Sequence, residues 1–200
     1  MKTAIFDIET SDLAGVGAGI VFCACIRSST TGQTRTFRLD EYHYDPDPNF
    51  GYFVRQEKDL LRDITEELAK YQLLVGHRVK KFDLPYLRTR AIVNQMSFPL
   101  NPFVYDTMDG VGRVHLATVL NALGKNSKAL SMAIDLFGIP QEKTALYPLE
   151  RWQIIWGNEA ERADKMNGEV DHCQRDVRMT HQLYDVLLPL DFRANIKRWT

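Results

Sequence analysis

Two carboxylates in an apolar segment are the first residues of this sequence that could do chemistry. Asp7 and Glu9 lie two positions apart in the stretch TAIFDIETSDL. The apolar residues around them predict a β-strand, in which alternate side chains point to opposite faces, so both carboxylates point the same way. Two like charges on such a strand are costly unless a cation lies between them. The spacing therefore predicts a metal ion, and a strand end with two solvated acids is the alternative.

Two later segments carry further acids. VGHRVKKFDLPYL predicts a buried strand, a short basic loop and a helix with Asp83 near its start, and HCQRDVRMTHQLY predicts a helix with His172 and Asp176 one turn apart. Each acid alone could be a helix cap or half of an exposed pair. Together with Asp7 and Glu9 they form a set that suits Mg²⁺ or Mn²⁺. Two such ions would stabilise the attacking and leaving oxygens of a phosphodiester displacement.

The elements that must position these residues follow from the hydrophobic patterns. Strands are predicted at 3–9, 20–27, 34–41, 73–77 and 103–108. Helices are predicted at 57–71, 83–96, 113–123, 127–140, 149–166 with a break near Gly157, and 168–188. Three strands in a row, then alternating helices and short strands, then helices predict an α/β fold with a mixed sheet and helices packed against it.

Size and composition indicate one domain. The 200 residues are 44% hydrophobic, enough for one well-packed domain over 1–200, and the basic segment 191–200 is predicted to be loosely held. The net charge of −1 excludes a nucleic-acid binder that is basic over its whole surface, but a local basic patch stays possible.

Three cysteines do not suggest a disulfide framework. Cys23 and Cys25 share one face of a predicted strand and are interpreted as buried structural residues. The low, odd count favours a reducing compartment. No stretch has the length of an apolar membrane span, and the first residues lack a secretory pattern. We therefore expect a cytoplasmic protein without a membrane partner, and a phage or plasmid origin would look the same.

The motifs resemble those of a known family. FDIET, GHRVKKFDLPYL and the pattern His-x-x-x-Asp-Val resemble the three exonuclease motifs of the DEDD superfamily, the 3′–5′ exonucleases with a ribonuclease H-like fold. VYDTM and LSMAIDLFGIP also resemble segments of that family, so the similarity covers most of 3–188. The resemblance implies a ribonuclease H-like mixed sheet, with a three-stranded antiparallel meander and shorter parallel strands, flanked by helices. It also implies a two-metal exonuclease that releases nucleoside 5′-monophosphates from a 3′ end.

Carried over by position, the resemblance gives each acid a role. Asp7 would bridge both metals, Glu9 and Asp176 would complete the site that activates the water, and Asp83 would support the second metal. His172 stands four residues before Asp176, where one branch of the family has tyrosine; the branch that uses histidine places it one residue earlier. Histidine can orient or deprotonate water near neutral pH, so His172 is expected to be catalytic, with a less active, substituted site as the alternative.

The resemblance also indicates contacts to the substrate. The backbone of Thr10 would hold the 3′ end, and Leu13 would wedge against the terminal bases, although Leu13 could equally be a core residue. Arg78 replaces an asparagine that is usual in the family; it could contact a phosphate, or it could mean that the local loop differs. The basic stretch around it could guide an anionic strand, and three aromatic residues could stack on bases. The basic residues are Arg78, Lys80, Lys81, Arg88 and Arg90, and the aromatic ones are Phe82, which could also be core, Tyr86 and Phe103.

The expected substrate is the 3′ end of single-stranded DNA. This preference rests on FDLPYL, which resembles the polymerase-associated proofreading branch of the family. A polymerase or a replication or repair complex is therefore an expected partner. Two alternatives stay open at this point. One is a 3′–5′ exoribonuclease of the same fold, and the other is a catalytically weak exonuclease fold that binds nucleic acid.

Overall fold

In the part of the chain that the structure describes, helices pack against a six-stranded mixed sheet. The computed structural model describes residues 1–12, 19–42, 51–113, 129–141, 151, 153–190 and 196–199. The strands are β1 Thr3–Thr10, β2 Val21–Ser28, β3 Thr34–Arg38, β4 Leu73–Gly76, β5 Phe103–Asp106 and β6 Lys197–Arg198. The helices are α1 Gly51–Leu68, α2 Asp83–Val93, α3 Thr107–Arg113, α4 Leu130–Leu136, α5 Gln153–Trp156 and α6 Glu159–Leu190, with a 3₁₀ turn at Leu39–Glu41.

The sheet has the strand order β3-β2-β1-β4-β5-β6. Strands β1, β2 and β3 form an antiparallel meander, whereas β4 and β5 run parallel to β1. The central strands are buried, which is why β4 reads as the continuous apolar run LLVG. The carboxyl ends of β1, β4 and β5 therefore meet at one edge of the sheet. This arrangement confirms the predicted mixed α/β sheet of the ribonuclease H-like type.

Several helix boundaries differ from the sequence prediction. The longest helix, α6, begins at Glu159 because Asn158 and Glu161 cap it reciprocally: the Asn158 N–H donates to Glu161 Oε2 over 2.9 Å, and the Glu161 N–H donates to Asn158 Oδ1 over 3.0 Å. The break near Gly157 is confirmed, whereas Gly168 does not interrupt the helix. The helix predicted at 113–123 lies outside the described residues from 114 onward. No helix in the described part of the chain is long and apolar enough to cross a membrane.

The three cysteines are free and buried, which confirms the structural interpretation of Cys23 and Cys25. Both lie on β2, and Cys173 of α6 lies in the same apolar core. The buried face of α6 continues with Val177 and Leu183. Helix α6 therefore covers the centre of the sheet next to β1 and β2.

A buried polar cluster joins α1, α2 and β2. Arg90 is only 2% exposed and pairs with the fully buried Glu57, with Nη2 2.6 Å from Oε2. Asn94 donates to the same carboxylate, and so does the Val21 N–H over 2.9 Å. Arg90 therefore cannot guide a substrate strand. Tyr86 is also buried, so its predicted stacking role is wrong as well.

The described part of the basic tail is held against the sheet. Sequence analysis predicts it to be loose, but β6 pairs with β5 in antiparallel register. The rings of Trp199 and Phe98 lie 5.7 Å apart in an edge-to-face contact, and the Arg88 guanidinium lies 5.5 Å from the Trp199 ring centre. Apolar and cation–π contacts thus order residues 196–199.

Candidate active site

Strand β1 presents Asp7 and Glu9 on one face, as the alternation predicts. They lie opposite Cys25 and Cys23 of β2. The Cys173 thiol of α6 donates to the backbone oxygen of Asp7 over 3.3 Å, so α6 crosses the same face. The two carboxylates therefore point into the space between the end of β1 and α6.

Asp83 reaches this space from the first residue of α2. The loop between β4 and α2, which leads to Asp83, is held by Asp106 at the end of β5. The Asp106 carboxylate accepts hydrogen bonds from the Arg78 and Lys80 N–H groups over 3.0 and 3.2 Å, and from the Met108 N–H over 3.0 Å. Asp83 is 1% exposed, and within the described residues its Oδ1 has no hydrogen-bond partner. Such a buried carboxylate oxygen is costly unless a cation or a donor satisfies it.

Helix α6 brings His172 and Asp176 to the same place. His172 Nε2 lies 3.6 Å from Glu9 Oε1 and 3.9 Å from Asp176 Oδ2. Both distances exceed a direct hydrogen bond, but they show that the imidazole reaches the carboxylates from the position four residues before Asp176. The ring thus lies at the mouth of the cleft, between the acid from β1 and the acid from its own helix.

Burial raises the pKa values of all four acids, and for Asp7 the other three acids add to the shift. Burial raises the pKa of Asp7 well above its ordinary value, and the charges of Asp83, Glu9 and Asp176 raise it further. Burial is also the main cause that raises the pKa of Asp83 to about 7. Burial raises the pKa of Glu9 and of Asp176 as well, and Arg151 and His172 respectively oppose these shifts. The four acids predicted from the sequence therefore interact at one site.

The donors at this site fit hard divalent cations. All four predicted ligands are carboxylates, the ligand type that Mg²⁺ and Mn²⁺ prefer, and Asp83 offers a buried oxygen without a hydrogen-bond partner among the described residues. As the side chains stand, no three His, Cys, Asp or Glu residues of the described ranges converge tightly enough to hold one ion. The carboxylates would therefore have to move toward a cation to complete its coordination.

Stability of the metal-free protein is expected to fall as pH rises from 5 to 8. Each raised pKa means that the folded state binds protons more tightly than the unfolded state, so the stabilisation is complete below about pH 4 and is lost as pH rises through about 7 for Asp83. We expect a loss of about 2–4 kcal/mol in the free energy of unfolding, measured by urea unfolding in a chelator.

The control variants for this pH dependence differ in burial. Asp83→Asn should reduce the slope, because it removes one of the buried titrating groups. Asp59→Asn should leave the slope unchanged, because this carboxylate on α1 is 54% exposed. A profile that is flat, or that rises with pH, would contradict the raised pKa values.

Arg151 and Glu169 belong to the site, and sequence reasoning missed both. Arg151 Nη2 lies 3.0 Å from Glu9 Oε2, and Arg151 Nε lies 2.8 Å from Oε1 of the fully buried Glu169. Glu169 is three residues before His172 and seven before Asp176, so the helical spacing signals that all three share one face. No sequence signal points to Arg151, which precedes a short helix far from every motif.

The predicted substrate contacts at the end of β1 have different outcomes. Thr10 is buried; its hydroxyl donates to the Asp12 backbone oxygen over 2.6 Å, and its own carbonyl lies 3.5 Å from Arg151 Nη1. The backbone of Thr10 thus borders the acidic cleft. Leu13 lies outside the described residues.

The loop between β4 and α2 holds the other predicted contacts. Arg78 and Lys81 are exposed, whereas Lys80 is partly buried and its Nζ lies 3.3 Å from Asp109 Oδ2. Phe82 packs partly against the core, in agreement with its alternative interpretation. Arg78 and Lys81 are therefore the residues of this loop that a substrate strand could reach most directly.

Comparison with protein families identifies the class of protein. A family model described as the RNase H superfamily matches residues 4–188. The chain therefore belongs to the RNase H superfamily, and its fold indicates a ribonuclease H-like nuclease. No curated protein matches the chain significantly.

Among solved structures, the chain is similar to the family B DNA polymerase of the hyperthermophilic archaeon Pyrobaculum calidifontis. The TM-score is 0.58 and the sequence identity is 18%. The alignment covers 94% of this chain but 25% of the polymerase chain. At this identity the likeness shows a shared fold, and this chain spans about a quarter of the polymerase's length.

Proposed function

We propose that the protein is a two-metal 3′–5′ exonuclease that removes nucleoside 5′-monophosphates from single-stranded DNA. The observation that supports it best is the approach of three elements to one cleft. Strand β1 contributes Asp7 and Glu9, α2 contributes Asp83, and α6 contributes Asp176 together with an imidazole 3.6 Å from Glu9. Carboxylates from separate elements with a potential base beside them suit metal-assisted hydrolysis.

In this proposal the four acids would hold two divalent cations, which would supply stabilisation of the attacking and leaving oxygens of the phosphodiester. Asp7 lies at the centre, since its pKa responds to all three other acids, and it would be shared by both ions. His172 orients the attacking water and accepts its proton, because its Nε2 faces Glu9 and Asp176. The Thr10 backbone holds the 3′-terminal nucleotide at the end of β1.

The proposed preference for DNA rests on two observations. FDLPYL, at the start of α2, resembles the polymerase-associated proofreading branch, and the fold resembles a part of a family B DNA polymerase. A polymerase or a replication or repair complex is therefore the proposed partner. A 3′–5′ exoribonuclease is the second candidate, because the acidic cleft would serve either nucleic acid.

Digestion of matched oligonucleotides tests this function. Single-stranded DNA and RNA of one sequence, labelled at the 5′ end, are incubated with the protein and Mn²⁺. We expect a ladder that shortens from the 3′ end, nucleoside 5′-monophosphates as products, and faster loss of DNA. A closed circular single strand should stay intact, because it has no 3′ end. Internal cleavage of the circle would contradict the exonuclease proposal, and faster loss of RNA would select the second candidate.

Arg78 is proposed to contact a substrate phosphate, because it keeps a strained backbone on an exposed loop. Its φ of +69° lies in the left-handed region, which costs most residues about 1–2 kcal/mol and which asparagine tolerates better. This explains why asparagine is usual there in the family. Arg78→Asn should therefore raise the free energy of unfolding by about 0.5–1 kcal/mol. It should also weaken DNA binding and reduce the salt slope by about one.

Gln95 provides a matched control for this prediction. It is the other described non-glycine residue with positive φ, +54°, and it lies beyond the end of α2. Gln95→Asn should also stabilise the protein but should leave DNA affinity and its salt dependence unchanged. Equal salt slopes for the wild type and Arg78→Asn, measured by fluorescence anisotropy, would count against the phosphate contact.

A further inference from the structure

Arg151 lies between two buried carboxylates at the edge of the cleft. Its guanidinium contacts Glu9 over 3.0 Å on one side and Glu169 over 2.8 Å on the other. Glu169 is fully buried, and besides this ion pair it lies beside Glu9 itself. One cation is thus shared by two acids, of which only Glu9 is a proposed metal ligand.

The charges of the site explain why a second acid is useful here. The four acids Asp7, Glu9, Asp83 and Asp176 carry the negative charge that two divalent cations neutralise. Arg151 alone would cancel one of these charges and compete with a cation for Glu9. With Glu169 beside it, the guanidinium has its own counter-ion, and the full charge of the four acids stays available.

A role in stability does not account for Glu169. A buried ion pair is often no more stable than apolar residues of similar volume, because both charges lose their hydration. Glu169 nevertheless lies on the face of α6 that also carries His172 and Asp176, seven residues before the latter. Its location points to the chemistry of this face.

We propose that Glu169 is a positioning residue: it acts as the counter-ion of Arg151 and so leaves Glu9 available to a divalent cation. This inference rests on the proposed function. Glu169 itself does not contact the substrate or the reacting atoms. It acts through Arg151, as residues behind metal ligands commonly orient and tune those ligands.

Calorimetric titration of the full-length chain with Mn²⁺ tests the inference directly. Glu169→Gln keeps the shape of the side chain and removes its charge, so Arg151 is left with Glu9 alone. We expect Mn²⁺ affinity to fall about 10-fold or more, the range found for residues behind metal ligands. Asp171→Asn, which removes a 65% exposed carboxylate from the same helix, should bind Mn²⁺ like the wild type. Wild-type affinity in a folded Glu169→Gln variant would overturn the inference.

Substitution of the arginine gives an independent test, which also serves if Glu169→Gln does not fold. Arg151→Met removes the competing cation, so Mn²⁺ affinity should be unchanged or higher, and Glu169→Gln added to it should have no further effect. An affinity about 10-fold lower in Arg151→Met would overturn the inference, because the arginine would then support Glu9. A wild type that does not bind Mn²⁺ would instead overturn the proposed function.

Discussion

Asp7→Asn is expected to lower exonuclease turnover by at least about 10³-fold, to the background of the assay. Asp7 is the acid whose pKa responds to Glu9, Asp83 and Asp176 together, so it occupies the centre of the cleft. An amide keeps the shape of the side chain but removes the charge that two cations would share. The rate of 3′-end shortening with Mn²⁺ measures this loss directly.

Stability measurements separate this loss of activity from a loss of folding. Burial and neighbouring acids disfavour the charged form of Asp7, so Asp7→Asn should be at least as stable as the wild type in a chelator near pH 8. Mn²⁺ should raise the midpoint of thermal unfolding of the wild type but not of the variant. Asp185→Asn, at a 65% exposed carboxylate of α6, is the control and should retain full activity. A folded Asp7→Asn variant with wild-type turnover would refute the two-metal proposal.

The sheet was predictable because its strands follow simple patterns. Alternation around Asp7 and Glu9 places both on one face of β1, and the apolar run LLVG identifies a strand buried on both faces. Boundaries were less predictable. The reciprocal Asn158–Glu161 cap starts α6 just after the predicted break near Gly157, but the helix then runs past residue 167, where a division into two helices was predicted, because its inner face continues through the buried Met166 and Val170.

The candidate site was only partly predictable, because burial depends on tertiary neighbours. In the sequence Arg90 lies in a basic stretch, but its spacing from Leu87 and Asn94 places it on the inner face of α2, where it pairs with Glu57. Glutamate in a long helix is usually solvated, so the sequence does not predict that Glu169 is buried; its burial follows from the packing of α6 against β1. Arg151 contacts Glu9 although the two residues are 142 positions apart, and no local sequence pattern encodes a contact of that kind.

His172→Ala is expected to lower turnover by about 10²–10⁴-fold, the usual contribution of a general base. The imidazole Nε2 lies 3.6 Å from Glu9 and 3.9 Å from Asp176, so the ring could accept a proton from a water held beside these two acids. Because the four carboxylates are intact in this variant, its Mn²⁺ affinity should stay close to that of the wild type. Calorimetry and single-turnover digestion of the same preparation measure both quantities.

Two further variants decide whether the ring acts on the reaction or merely fills space. His172→Tyr recreates the tyrosine pattern of one branch of the family and should recover part of the rate that His172→Ala loses. His181→Ala removes the other histidine of α6. The Nδ1 atom of His181 accepts a hydrogen bond from Arg27 Nε over 3.2 Å, so this ring has a partner other than the four acids. The variant should keep turnover within about threefold. An unchanged rate in His172→Ala would remove His172 from the mechanism and leave the carboxylates alone to prepare the attacking water.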